Sequence, residues 1–149
     1  MKKFYIIAMM LCLLILPATV MAAPSQNAQA FANEEAVSTQ WINTMLTNKD
    51  ANGAYAMMSA EAKKSVKAAD LQKAEQRMAK ELGSLKETRF VAWTRFDNVD
   101  QMTYLMSFDK TKAVRCELIF NKKGELDSFI LAPLNTDNAK NAKADTKKK

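Results

Sequence analysis

The hydrophobic period of this chain changes once, near Lys86, from helical spacing to strict alternation, and that change limits the fold more than any other feature. Ahead of it Phe31, Val37, Trp41 and Met45, with Ile42 and Leu46 beside them, recur at helical intervals from about Gln26 to Asn48. Asn48 to Gly53 is a turn cluster. Ala54 to Met58 reads as a short second helix, Ser59 as a cap, and Lys63 to Ala68 as loosely helical. Asp70 caps a third helix carrying Leu71, Ala74, Met78 and Leu82, and Gly83 stands where a helix-ending glycine belongs. Beyond Lys86 the alternation predicts four strands: Thr88 to Phe96, Met102 to Phe108, Ala113 to Phe120 and Leu126 to Ala132. Helices followed by a run of strands define an α+β chain: three N-terminal helices packed in a curved four-stranded antiparallel sheet.

Asn121-Lys122-Lys123-Gly124 is a type I turn with glycine in the left-handed position, a G1-bulge hairpin that sets Phe120 opposite Leu126. Continued regularly, that register places Leu118 opposite Ser128 and Cys116 opposite Ile130. One sheet face then holds Met102, Tyr104, Met106, Phe108, Val114, Cys116, Leu118, Phe120, Leu126, Ser128, Ile130 and Ala132, with no charge, and is the inner one. The other face mixes Leu105, Ile119, Phe129 and Leu131 with Arg115 and Glu117, too apolar to be left wholly wet.

The two ends read differently. Lys2 and Lys3, the uncharged run Phe4 to Leu16 and the small residues to Ala23 form a cleavable signal peptide over residues 1–22. The apolar run is too short for a membrane span, and Cys12 lies inside it, where no lipid anchor attaches. The expectation is a protein exported to the periplasm or the cell exterior with no stable membrane anchor. Residues 23–30 are a linker, 31–132 the folded domain, and 133–149 a disordered Lys-rich tail. Most of the formal charge of +6 sits in the signal and the tail, leaving the domain almost neutral and without the basic stripe that nucleic acid requires. Histidine is absent, which excludes Ser-His and Cys-His catalysis and histidine metal sites. Cys116 is the one cysteine left after cleavage, so no internal disulfide forms. No cofactor and no metal are called for.

Trp41 on the first helix, Gly53-Ala54-Tyr55 before the second, and the ending Ile119-Phe120, Gly124, Leu126, Phe129, Pro133 resemble secreted domains of the nuclear transport factor two-like superfamily, over roughly Phe31 to Pro133. The resemblance implies a cone-shaped α+β fold in which a curved sheet wraps the first helix. Its catalytic members place an Asp or His base inside the cone; here the inward face as read carries none. Many members also pair through the sheet.

The resulting reading is an exported, non-catalytic binding module. Its apolar pocket for a small ligand is lined by Trp41, Met45, Tyr55, Met78, Tyr104, Met106, Cys116 and Phe120, with Tyr104 as the orienting hydrogen bonder. The competing reading of Tyr104 is a core tyrosine whose hydroxyl meets one partner at the rim. Met102, Met106 and Cys116 are core filler rather than copper ligands. The alternative function is a structural or interaction domain, a homodimer formed through Leu105, Arg115, Glu117, Ile119, Phe129 and Leu131. An enzyme comes last. Glu34 and Glu35 are read as complements to the helix dipole, and Asp50 and Asp70 as caps.

Overall fold

The computed structural model describes residues 23–134; the segment 1–22 expected to be a signal peptide and the Lys-rich tail beyond Leu134 lie outside the described residues. The order is helices, then a four-stranded antiparallel sheet in which neighbours in sequence are neighbours in space. The sheet is not strongly curled.

Helix α1 covers Gln26–Ile42 and is capped by Ser25, whose hydroxyl accepts from the Ala28 N–H at 3.2 Å. It continues through a π turn, Asn43–Thr47, and closes at Lys49, which takes a left-handed conformation. The wider turn keeps Met45 and Leu46 on the buried side after Trp41 and Ile42. Helix α2, Ala51–Ala56, begins at Asp50, whose carboxylate accepts from Gly53 N–H at 2.9 Å. The short α3, Ala62–Ser65, is capped from Ser59, and α4, Ala68–Glu81, from Asp70, which reaches back to the Lys67 N–H. Gly83 follows α4 at φ 83°.

Strands β1 (Leu85–Arg95), β2 (Val99–Phe108), β3 (Val114–Asn121) and β4 (Leu126–Pro133) follow. Each prediction from alternation finds its strand, with ends displaced by at most three residues. The displacement at β2 matters most. That strand begins at Val99, so Asp100 joins Met102, Tyr104, Met106 and Phe108 on the face toward the helices. Gly124 sits at φ 76° in the β3–β4 turn, and a β-carbon there would stand 2.6 Å from Asn33 Nδ2, so α1 also passes close to this turn.

Three irregularities set the faces, the first at the start of β1, where the pairing slips between Leu85 and Glu87 and leaves Lys86 extra. In β1 the pairing with β2 slips between Phe90 and Ala92, leaving Val91 as the extra residue of a bulge. In β4, Phe120 pairs with Leu126 as expected, but Ile119 pairs with Ser128, so Asp127 is extra. Every later residue of β4 therefore exchanges faces: Leu118 pairs with Phe129 and Cys116 with Leu131. The regular register expected from the turn fails at this point. Asp127 is drawn aside because its Oδ1 accepts from Ser59 Oγ at 2.5 Å, while Leu126 O accepts from Ser59 N–H at 2.8 Å.

The core lies between the helices and the inner sheet face. Trp41, Met45, Leu71, Met102, Met106, Val114, Cys116, Leu118, Phe120 and Leu126 are buried, with Phe129 and Leu131 packed against them. β4 extends to Pro133, and Leu134 N–H donates to Ala113 O at 2.8 Å, so the folded part reaches past the expected end at 132.

Candidate functional site

Helix α1 crosses the inner sheet face diagonally. Phe31 meets β1, Glu34 meets β1 and β2, Ser38 stands by Tyr104 of β2, and Trp41 reaches Phe129 of β4 with ring centroids 4.6 Å apart. Two arrangements along this line carry chemistry.

The first is a pair of buried carboxyls. Glu34 and Asp100 are each only 1 % exposed. The indole N–H of Trp93 donates to Glu34 Oε2 at 2.7 Å. Asp100 Oδ1 accepts from Arg95 Nε at 3.1 Å and from Lys122 Nζ at 2.7 Å, and Arg95 is anchored in turn by a hydrogen bond to Asn27. Burial raises the Glu34 pKa; the Trp93 hydrogen bond opposes this and the negative Asp100 adds to it. Burial also acts to raise Asp100, but the hydrogen bonds and charges of Arg95 and Lys122 outweigh it and hold Asp100 below its ordinary value. The two environments consequently push the pair apart, Glu34 toward its protonated form and Asp100 toward its ionised one. Sequence reading missed both. Glu34 occupies the same helical stripe as Phe31, Ser38 and Trp41, and Asp100 lies two residues before Met102 on the same alternation, which are the signals that could have found them.

The second arrangement is aromatic. Phe31 packs edge-on to Phe90 and to Trp93, at 5.6 and 5.5 Å between centroids, and Phe90 packs edge-on to Tyr104 at 5.7 Å. Phe90 and Thr88 share the face of Tyr104 and Met106 through their pairing, yet both are exposed, Phe90 by 40 %. The inner sheet face is thus bare beside α1. At its floor the Tyr104 hydroxyl is buried without a hydrogen-bond partner among the described residues, as are Ser38 Oγ beside it and Trp41 Nε1. Burial raises the Tyr104 pKa, with the Ser38 hydroxyl opposing and the charge of Glu35 adding, so the phenol stays a neutral donor.

The eight residues expected to line an enclosed pocket are brought together as core instead. Trp41, Met45, Tyr104, Met106, Cys116 and Phe120 are buried, and Tyr55 and Met78 are half-buried against them. The cleft touching Met45 and Met78 holds about 10 Å³, room for one water at most. A hollow of about 610 Å³ runs openly along the outer flank of α1 past Glu35, Thr39 and Asn43, and one of about 200 Å³ lies by Arg89, Leu105 and Lys112; of the eight, Met106 alone touches either. Cys116 is fully buried and its thiol is pushed up to about 12, chiefly by burial.

The residues expected on the outer face divide. Leu105, Arg115, Glu117 and Ile119 are there, with Arg115 Nε 3.2 Å from Glu117 Oε1. Phe129 and Leu131 are not: the Asp127 bulge turns them inward and presents Ser128 and Ile130 in their place. Among the described residues no cluster of three or more acidic or cysteine side chains forms a metal site. Searches of protein families, of curated proteins and of solved structures find no match to this chain.

Proposed function

We propose that this protein is an exported, non-catalytic binding module of the cone-shaped, nuclear transport factor two-like kind, whose ligand is a small, largely apolar molecule bearing one hydrogen-bonding group. Export rests on the run from Lys2 to Ala23, and the superfamily on the order of elements and the motifs around Trp41, Gly53 and Gly124. The observation that carries the binding reading is the hydroxyl of Tyr104, a residue 5 % exposed, which is buried beneath a half-exposed Phe90 with the Ser38 hydroxyl beside it and no fully formed hydrogen bond among the described residues. A buried hydroxyl left unbonded costs about 1–3 kcal/mol, and a ligand that supplies the partner recovers it. The ligand lies at the margin of α1 and β1, with Phe90 swinging aside, rather than within the filled core.

The interaction reading comes second. Among the described residues no helix covers the outer sheet face, which exposes Ile130 beside Leu105 and Ile119, but two of its four expected apolar anchors have gone inward.

The test is calorimetric titration with 2-naphthol, which offers an apolar bicycle and one hydroxyl. The wild type should bind, and Tyr104→Phe, which keeps the ring, should bind about tenfold more weakly, the worth of one hydrogen bond. Equal affinity of the two proteins, or no binding by the wild type, would overturn the assignment.

A further inference from the structure

We propose that Glu34 and Asp100 share a single proton and form a pH-sensitive latch that holds the N-terminal half of α1 against the sheet. The geometry is asymmetric. Asp100 takes both available cations, Arg95 from β1 and Lys122 from the β3–β4 turn, whereas Glu34 receives only the neutral indole N–H of Trp93. Among the described residues, Arg95 and Lys122, which both donate to Asp100 Oδ1, are the charged groups acting on this pair besides the two carboxyls themselves. A Glu34 that keeps its proton donates through it to Asp100 while its other oxygen accepts from Trp93, and the helix is thereby bonded to two strands without an unpaired buried charge.

When the proton leaves for solvent, a second negative charge stands against Asp100 in a site 1 % exposed, and the cations at the site among the described residues, Arg95 and Lys122, are already engaged. The contact that must yield is between α1 and β1. Phe31, one turn ahead of Glu34, packs on both Trp93 and Phe90, so the aromatic corner moves with the latch. The latch stands whether or not a ligand binds beside Phe90, because it rests on the carboxyl pair alone.

Trp93 reports on it directly. In the full-length chain, the indole N–H resonance of Trp93, resolved from that of Trp41 by nitrogen-15 correlation spectroscopy, should move along a single titration with a midpoint above the 4.5 of an ordinary glutamate. In Glu34→Gln, which keeps the acceptor and cannot ionise, the resonance should stay still over the same range. In Asp100→Asn the midpoint should fall, since the opposing charge is gone and Arg95 and Lys122 turn to Glu34. A resonance that does not move between pH 4 and 9, a midpoint at or below 4.5, or a midpoint unchanged in Asp100→Asn would each overturn the latch. Should Glu34→Gln fail to fold, the wild-type titration and Asp100→Asn decide the matter alone.

Discussion

Cys116 shows how completely a residue's chemistry is set by where its neighbours put it. A thiolate is the reactive form, and with the thiol pushed up to about 12 by burial, and further by Glu117, almost none exists at pH 8. Iodoacetamide at pH 8 should therefore leave Cys116 unlabelled in the native protein and label it fully in guanidinium, read by peptide mass. Rapid labelling of native protein would mean that β3 opens locally. Inertness was legible in the sequence, since Val114 and Leu118 flank the cysteine on its own face. The states of Glu34 and Asp100 were not, because charge is a poor guide to burial where two acids and two bases meet: each residue looks solvated until the chain brings its partners from α1, β1, β2 and the β3–β4 turn together.

At the scale of elements, alternation told strand from helix and the Gly124 turn fixed the first pair of the last hairpin, Phe120 with Leu126. The next pair escaped, because the stronger hold on Asp127 comes from Ser59, sixty-eight residues away in sequence, and the longer bond from Asn121 in the same hairpin leaves no mark on the alternation. The consequence separates two substitutions that a regular hairpin would make equivalent. Phe129→Lys replaces a half-buried ring packed on Trp41 with a charged chain and should destabilise the fold by roughly 2–4 kcal/mol in urea, while Ile119→Lys, on the outer face, should cost less than about 1 kcal/mol. Similar losses for both would mean that the outer face is covered.

For the molecule as a whole, the two buried acids pull stability in opposite directions with pH. Glu34, raised in the folded state, contributes fully below 4.5 and loses that contribution as pH climbs through its folded pKa. Asp100, lowered, contributes above 3.8 and loses it as pH falls through its folded pKa. Thermal midpoints should trace a dome between these limits, and the gap between wild type and Glu34→Gln should change steadily from pH 4.5 upward until Glu34 has ionised. A constant gap would show that Glu34 titrates alike folded and unfolded.

The Val91 bulge has a consequence for crowded conditions. Ahead of it Thr88 and Phe90 face the helices; after it Trp93 and Arg95 do, so the edge strand changes phase midway along its length. A straight strand laid against β1 matches one half and is out of step with the other. Despite the bare Phe90 and Val91, β1 is a poor template for fibre growth, and this sheet ends at its own border.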